Sequence, residues 1–339
     1  MKIKKPQNTQ HEIDAVITWV DGEDPVHFRK RLEALNAEKK VKNLPIAAGR
    51  DPTRFKDNGE IVYCIKLLRG FAPWIRTIHL VTDGQCPAFL DSATRKRLGV
   101  KIVDHKTIFQ GYESVLPTFN SITIETALWR IPGLARRFLY LNDDFFLIQP
   151  VQPEDFFLGD CVVLRGRWKL IQRFGPMRIK LSIIINHFAK TLFGINRAMS
   201  LLQQMKAAQL AGARYLYYKT PHAPHALHRE TLANYFKNHP DHFAENIRYS
   251  FRDASQFVAT FLAHHLEIGT NNAKLISDHE AVMICFNRES HHAICRKLKQ
   301  LHAEECKYRF LCVQSLEEAS SEHRKTVIRF LDSRLTAIN

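Results

Sequence analysis

The sequence of 339 residues lacks a long apolar run and paired cysteines, and it contains no repeat or low-complexity tract. Its purest apolar stretch, Ile183 to Ile185, is far shorter than the roughly 20 residues that a membrane-spanning helix needs. The first eight residues carry charge but no apolar segment of a secretory signal, so we expect a cytoplasmic protein. The seven cysteines are odd in number and form no C-x-x-C pair, which predicts reduced thiols and argues against a cysteine zinc site.

Positive charge is what the sequence has in excess. It contains 49 lysines and arginines against 34 acidic residues, a formal net charge of +15. Such a charge favours an anionic partner, such as nucleotide phosphates, an anionic glycan or acidic lipid. Nucleic acid is disfavoured because no zinc-finger spacing or aromatic-basic RNA motif is present. A generally basic surface without a dedicated anionic partner is the alternative explanation.

Four short apolar runs are predicted to be strands, and each is followed by polar or acidic residues. They are Ile13–Val20, Thr77–Thr82, Val100–Asp104 and Phe138–Leu141. Helical patterns at 26–40, 59–70 and 120–130 separate them, which predicts an α/β fold with an open, mostly parallel Rossmann-like sheet. Ligands bind such sheets beyond the carboxyl ends of the strands, where Asp21–Asp24, Asp83 and Asp143–Asp144 would meet.

The pair Asp143–Asp144 directly follows the fourth predicted strand. Two adjacent carboxylates repel each other unless a cation or hydrogen bonds offset their charge. Oxygen-rich sites of this kind suit Mg²⁺ or Mn²⁺ bridging a diphosphate, so the pair is a candidate metal site. Capping of the following turn is an equally common role for such a pair.

Histidines are concentrated between Pro221 and Glu230, where His222, His225 and His228 lie within seven residues. Because histidine titrates near neutral pH, one of them could act as general base on a sugar hydroxyl. A zinc site is disfavoured here, since Pro224 should break the helix that would align two of these rings. Surface or capping histidines are the alternative.

Two arginines follow this segment at positions 248 and 252. The guanidinium group is suited to bidentate contact with phosphate, which makes Arg248 and Arg252 candidate phosphate ligands. Salt bridges on the protein surface are the more common role of such residues.

Taken together, these segments resemble the Stealth family, which includes bacterial capsule polymerases that transfer hexose-1-phosphate and the animal N-acetylglucosamine-1-phosphotransferase. Residues 13–25 resemble its first conserved block, and the third block is matched by the segment from His222 and by Phe251–Asp253. The fourth block is degraded, because Ser277 stands in Ile276–Glu280 where the family has Asn, although Asp278 fits. The second block is matched at residues 54–60, 72–76, 81–85, 116–121, 130–134 and 142–146.

The resemblance implies that residues 12–164 and 219–290 form the catalytic domain. They would flank a basic amphipathic helical insert at 165–218 and precede a helical C-terminal segment at 291–339. In the insert, basic residues alternate with apolar ones at helical spacing. This pattern predicts either a helix packed on the core or a helix that touches the inner face of the membrane or an acidic polymer.

As for activity, the resemblance implies transfer of hexose-1-phosphate, most simply N-acetylhexosamine-1-phosphate, from a UDP-sugar to a sugar hydroxyl of a surface polysaccharide. UMP would leave, and a phosphodiester would form. Partners would then be the nucleotide-sugar donor, the glycan acceptor and capsule assembly proteins. His222 is expected to be the general base, Arg252 to stabilise phosphate charge, and Asp144 to bind Mg²⁺ or Mn²⁺. Further metal ligands would be Asp143 and Asp278, and donor-binding residues Asp21, Gly22, Asp57, Asn58, Glu60, Asn120 and Arg248.

Two other functions stay open at this level. In an ordinary metal-dependent glycosyltransferase, the acceptor would attack the anomeric carbon and UDP would leave whole. A non-catalytic protein that binds polyanions would show salt-dependent binding without turnover.

Overall fold

The computed structural model describes residues 12–41, 58–171, 198–303 and 305–338. Its helices are α1 (Pro25–Val41), α2 (Glu60–Phe71), α3 (Ser92–Leu98), α4 (His105–Ile108), α5 (Ser121–Ala127), α6 (Ala198–Leu210), α7 (Arg229–Asn238), α8 (Pro240–Ile247), α9 (Ala259–Gly269), α10 (His291–Leu301) and α11 (Ser321–Thr336). Its strands are β1 (Ile13–Thr18), β2 (Ile78–Thr82), β3 (Val100–Asp104), β4 (Arg137–Asn142), β5 (Phe145–Leu147), β6 (Phe157–Leu158), β7 (Cys161–Arg165), β8 (Arg167–Leu170), β9 (Leu216–Lys219), β10 (His225–His228), β11 (Ala273–Ile276), β12 (Ala281–Cys285) and β13 (Phe310–Gln314).

The central sheet has the strand order β10-β4-β1-β2-β3. Strands β4, β1, β2 and β3 run parallel, and β10 adds an antiparallel edge. The prediction of an open, mostly parallel sheet is therefore confirmed. Its register places Thr18 of β1 beside Asn142 of β4, so the polar segments that follow these two strands begin at the same edge.

Hydrophobic layers cover both faces of this sheet. Ala15 and Ile17 of β1 belong to one buried cluster and Val16 to another, because successive side chains of a strand point to opposite faces. Burial on both faces explains why the strands read as continuous apolar runs in the sequence. Amphipathic α2, with six buried side chains, packs within the first of these clusters.

Smaller sheets extend the molecule beyond the central one. Strand β13 lies between β12 and β5, so the C-terminal segment, expected to be helical, contributes a strand to the main body besides α10 and α11. In the predicted insert, β8 pairs with β9 and α6 precedes β9. The basic helical pattern between Leu181 and Ile195 lies outside the described residues.

Asp14 anchors the amino end of the sheet, away from the carboxyl edge. It is fully buried, and its two oxygens accept hydrogen bonds from Arg76 Nε at 2.8 Å and Nη2 at 2.6 Å. Its Oδ2 also lies 3.1 Å from His79 Nε2 and accepts from the Ala135 backbone N–H. Burial alone would raise the pKa of Asp14, but the hydrogen bonds from His79 and Arg76 outweigh it and lower that pKa to about 2.

Replacing Asp14 with alanine is expected to lower the free energy of unfolding by about 3–5 kcal/mol, because it leaves buried donors unpaired. Since the folded-state pKa is depressed, the part of this stability that depends on ionised Asp14 is complete above about pH 4 and is lost as the pH falls through about 2. Urea unfolding at several pH values measures both effects. Glu12→Ala is the matched control, because its contact with Arg76 is partly exposed and should contribute about 1 kcal/mol or less. An Asp14→Ala loss no larger than that of Glu12→Ala would contradict this account.

Candidate functional site

The loop after β1 is held at the carboxyl edge of the sheet by hydrogen bonds between the Asp21 backbone and the Gln85 side chain. The Asp21 N–H donates to Gln85 Oε1 at 3.0 Å, and Gln85 Nε2 donates to the Asp21 carbonyl at 2.8 Å. Asp21 Oδ1 accepts from the Glu23 N–H, and Gly22 is buried in the same turn. The predicted donor-binding residues Asp21 and Gly22 thus lie on the expected edge of the sheet.

Asp143 and Asp144 form the two-residue turn between β4 and β5. The Asp144 carbonyl accepts from the Val313 N–H, and its Oδ2 accepts a long hydrogen bond from Cys312 Sγ at 3.7 Å. Its Oδ1 is buried and has no hydrogen-bond partner within the described residues. Burial, followed by the negative charge of Glu60, raises the pKa of Asp144 to about 7.

The amino end of α2 faces this acidic turn. Gly59 precedes the helix with a φ of 85°, a left-handed conformation that favours glycine. Glu60 then turns back, and its Oε2 and Oε1 accept from the Asn58 N–H at 2.6 Å and from Asn58 Nδ2 at 3.0 Å. Glu60 therefore lies near Asp144, whose pKa it raises, and Asn58 is held beside Glu60. Donor binding by these two residues stays a prediction. Asp57 lies outside the described residues.

Three thiols surround the acidic turn. Burial raises the pKa of Cys64 and of Cys312, and the charges of Asp143 and Asp144 raise both further. Burial also raises the pKa of the Cys285 thiol. These thiols stay neutral at pH 7. Cys312 donates a weak hydrogen bond to Asp144, whereas Cys64 donates to the Asn142 carbonyl.

His222 lies beside the same turn, in the loop before β10. Its ring packs edge-on against Phe145, with ring centroids 6.1 Å apart. Burial lowers the pKa of His222 to about 4, and the positive charge of Lys219 adds to this effect. The charges of Arg288 and Arg252 act in the same direction. The imidazole is therefore neutral at pH 7 and can accept a proton.

His225 and His228 are placed differently. His225 packs between Phe145 and His264, and burial lowers its pKa to about 3. His228 is buried, with Nδ1 3.0 Å from Glu267 Oε1. The strand β10 that carries them shows that this segment is not helical, in agreement with the expected effect of Pro224.

Arg252 donates a hydrogen bond from its Nη2 to the hydroxyl of Ser121, the first residue of α5, and its charge acts on the pKa of His222. Burial lowers the pKa of Arg252, the charges of Tyr140 and Glu125 oppose this shift, and Arg288 adds to it. Two guanidinium groups near one neutral histidine form a region that attracts anions.

Chemically, the site has two complementary parts. Asp143 and Asp144 supply carboxylate oxygens at the end of β4, and Lys219, Arg252 and Arg288 supply positive charge around His222. The first part suits a divalent cation and the second suits phosphoryl oxygens. A neutral imidazole among these positive charges can accept a proton from a hydroxyl.

Asp143 and Asp144 fit a divalent cation. The buried Oδ1 of Asp144 has no hydrogen-bond partner in the described structure, and burial together with the negative charge of Glu60 raises the pKa of this group, an effect that a bound cation would offset. Hard carboxylate oxygens are the ligands that Mg²⁺ and Mn²⁺ prefer.

Asn120 is not placed to contact a donor, in contrast to the prediction. It is fully buried; its Oδ1 accepts from the Ile122 N–H at the start of α5. Its Nδ2 donates to Gln256 Oε1 at 2.8 Å and to the Tyr249 carbonyl at 3.1 Å. Asn120 thus fixes the start of α5, which carries the Ser121 hydroxyl that holds Arg252.

Asp278 does not join the acidic pair, which corrects the predicted set of three metal ligands. Its Oδ2 accepts from Arg167 Nε at 3.0 Å and Nη2 at 2.8 Å. The register places Asp144 level with Ile284 of β12, whereas Asp278 precedes that strand. Within the described residues, no group of three metal-ligating side chains includes Asp143, Asp144 or Asp278.

Arg248 lies on the surface rather than in the site. Its guanidinium is 3.1 Å from Glu245 and donates to the Tyr249 hydroxyl at 3.0 Å. Surface salt bridging, which was the alternative for both arginines, therefore describes Arg248 and not Arg252.

Lys219 and Arg288 were not identified from the sequence. Both act on the pKa of His222 in the structure. Lys219 ends β9, and Arg288 follows β12 in the turn before α10. Arg288 follows a short apolar run, which was the available signal for it in the sequence. That signal does not indicate which sheet the run joins or at which edge.

Family models match two parts of the chain. Residues 11–39 match "Stealth protein CR1, conserved region 1", and residues 54–163 match "Stealth protein CR2, conserved region 2". The second match ends two residues before the end of β7 and includes the acidic turn.

Curated relatives extend this similarity along the chain. The exopolysaccharide phosphotransferase cps2G of Lactiplantibacillus plantarum is 31% identical over 311 residues, covering 82% of this chain and 88% of that protein. The exopolysaccharide phosphotransferase SCO6023 of Streptomyces coelicolor is 33% identical over 269 residues. That alignment covers 79% of this chain but only 42% of the Streptomyces protein, so the chain spans less than half of that relative. A capsular polysaccharide phosphotransferase of Actinobacillus suis is 39% identical over 160 residues.

Among solved structures, a galactosyltransferase LgtC in complex with donor and acceptor sugar analogs aligns with 96% of this chain and 94% of its own. The TM-score is 0.42 and the identity 11%, a likeness that carries no functional information. In the described residues, no helix has the length and apolar character needed to cross a membrane.

Proposed function

Because the chain belongs to the Stealth family and its curated relatives are polysaccharide phosphotransferases, we propose that it transfers hexose-1-phosphate from a UDP-sugar to a glycan hydroxyl. The expected sugar is an N-acetylhexosamine, the expected acceptor is a hydroxyl of a surface polysaccharide, and UMP is the leaving nucleotide. The relatives, which are exopolysaccharide and capsular polysaccharide phosphotransferases, support polysaccharide phosphotransfer in general.

One observation carries this proposal. A histidine that is neutral at pH 7 lies among Lys219, Arg252 and Arg288 and packs against the residue that follows the Asp143–Asp144 turn. Phosphoryl transfer depends mainly on charge neutralisation and in-line placement, with little covalent chemistry for the protein to perform. Cations around a neutral base meet that requirement.

In the proposed step, the acceptor oxygen attacks the phosphorus that bears the sugar, and its proton moves to His222. A new phosphorus–oxygen bond forms to the acceptor while the bond from that phosphorus to the bridging oxygen breaks. UMP leaves with the bridging oxygen, and the sugar keeps its anomeric oxygen. Arg252 and Arg288 bind the phosphoryl oxygens, and Ser121 holds the guanidinium of Arg252 in position.

Asp143 and Asp144 would hold Mg²⁺ or Mn²⁺, which when bound offsets negative charge on the diphosphate. Asn58 and Glu60 fix the amino end of α2 beside this pair. Peripheral contact with the inner membrane face or with capsule assembly proteins rests on the net charge of +15 and on a segment outside the described residues. Both contacts stay predictions.

The pH profile should show an unusually acidic limb. His222 accepts a proton only while neutral, and its pKa in the free protein is about 4, so kcat/KM should fall as the pH drops through about 4. A bound diphosphate places negative charge beside the imidazole and favours its protonated form, so the midpoint of kcat should lie at higher pH. Initial rates at saturating Mg²⁺ measure both midpoints, since low donor concentrations give kcat/KM and high donor concentrations give kcat. Saturating Mg²⁺ would keep Asp144 ionised, so a kcat/KM midpoint near the ordinary histidine value of about 6.5 under these conditions would contradict the cation-lined site.

The proposal is tested by incubating the protein with a panel of UDP-sugars, Mg²⁺ and candidate glycan acceptors, and separating the nucleotides released. Acceptor-dependent UMP is the expected product, and Asp144→Asn supplies the background of non-enzymatic hydrolysis. Acceptor-dependent UDP would identify an ordinary glycosyltransferase instead. Salt-dependent binding of anionic glycan without either nucleotide would identify a non-catalytic binder.

A further inference from the structure

Three metal-ligating side chains meet at the junction of α10 and α11, outside the site described above. Cys295 Sγ lies 3.4 Å from His291 Nε2 and 3.5 Å from His323 Nε2. The ligand atoms of all three residues lie within 4.8 Å of one another. This is the one such group among the described residues, and it contains one sulfur and two imidazole nitrogens.

These separations match those between ligands that share one zinc ion. Zinc–sulfur bonds are about 2.3 Å long, zinc–nitrogen bonds about 2.05 Å, and tetrahedral angles then place sulfur and nitrogen about 3.6 Å apart. Both imidazoles also direct the same atom, Nε2, toward the sulfur. A thiol that donated a single hydrogen bond would require only one such nitrogen.

Local structure fixes this arrangement. His291 and Cys295 are four residues apart on α10, so they share one face of the helix. Ser290 caps α10 by accepting from the Ala293 N–H, and Ser320 caps α11 by accepting from the N–H of His323 itself. The cluster therefore lies near the amino-terminal ends of two helices, whose caps hold its members in place.

We propose that His291, Cys295 and His323 bind a Zn²⁺ ion, with the remaining position open to solvent on the side of exposed His291. The set of one thiolate and two imidazoles suits Zn²⁺ and does not suit Mg²⁺ or Mn²⁺, so this site is distinct from the acidic turn. The ion joins α10 to α11. In turn, α11 packs on α2, where Tyr63 donates to Asp332 at 2.8 Å, and α2 carries Glu60 beside Asp144.

Zinc content and binding test this inference on the purified full chain. After chelation and dialysis, Zn²⁺ is titrated by calorimetry in excess Mg²⁺, which occupies the acidic turn. One ion per chain should bind tightly, and saturating Zn²⁺ should raise the Tm by about 3 °C or more. Co²⁺ in its place should give thiolate-to-metal absorption.

Matched variants assign the ligands. Cys295→Ser and His323→Gln should weaken Zn²⁺ binding by about 100-fold or more and remove the rise in Tm, and Cys295→Ser should abolish the Co²⁺ absorption. His292→Ala, an exposed neighbour on α10, and Cys86→Ser, an exposed thiol, should bind like the wild type. Binding that is absent in the wild type, or equal in Cys295→Ser, would overturn the proposal. Because these readouts need no donor or acceptor, they are independent of the proposed transferase activity.

Discussion

Replacing His222 with alanine is expected to lower turnover by about 10² to 10⁴-fold, the usual contribution of a positioned general base. The imidazole lies beside the acidic turn and is neutral at pH 7, so its loss removes the group that takes the proton of the acceptor. Binding of the UDP-sugar should be retained, because Arg252 and Arg288 stay in place. Single-turnover rates and donor binding by calorimetry measure the two effects separately.

His225 and His228 provide the comparison for this variant. His228→Ala leaves the buried Glu267 without its histidine, and His225→Ala removes a ring packed between Phe145 and His264. Both should lower the Tm, while turnover per folded molecule stays within about tenfold of the wild type, below the range for a lost base. A His222→Ala protein with wild-type melting and near wild-type transfer would remove His222 from the mechanism.

Substituting Asp144 with asparagine should lower the transfer rate by at least about 10³-fold, since charge stabilisation by a bound metal contributes several kcal/mol. Stability should respond in the opposite direction. The pKa of Asp144 is raised above its ordinary value, so ionising this group costs stability as the pH rises toward 7. The neutral amide avoids that cost, and the variant should melt at or above the wild-type Tm in EDTA. Transfer rates and thermal melts at pH 7 test both expectations.

Metal removal should reproduce the effect of this substitution on the rate. EDTA is expected to abolish transfer, and Mg²⁺ or Mn²⁺ should restore it while free Zn²⁺ is kept low, which separates this effect from the site at α10 and α11. Asp160→Asn is the control, because Asp160 is an exposed carboxylate in the turn before β7 and should leave the rate unchanged. Full activity in EDTA after exhaustive dialysis would exclude the metal from the mechanism.

Much of the fold was predictable because its signals are local. Strands buried on both faces read as short apolar runs, and the polar residues that end them, such as Asp143 and Asp144, follow directly in the chain. Strand β13 was missed because Phe310–Gln314 is short and its burial depends on β5, more than 160 residues earlier. Pairing at that separation leaves no pattern in the local sequence.

Among the site residues, too, local motifs could be recognised from the sequence, whereas long-range contacts could not. The sequence could name His222 and Arg252 as candidates because local motifs contain them, whereas the role of Asn120 depends on contacts with Tyr249 and Gln256 far along the chain. Arg167 pairs with Asp278 across 111 residues, so the sequence could not show that this carboxylate is already engaged. The cysteine count argued against a zinc site because it considered spacing within one segment, while His323 joins Cys295 from another helix.

³¹P NMR of the purified acceptor product, made with an active UDP-sugar, tests the central claim most directly. If the acceptor oxygen attacks phosphorus, the product contains one phosphodiester phosphorus for each sugar transferred, and UMP appears in equal amount. A product that carries the new sugar but no phosphorus, accompanied by UDP, would show attack at the anomeric carbon and contradict the account.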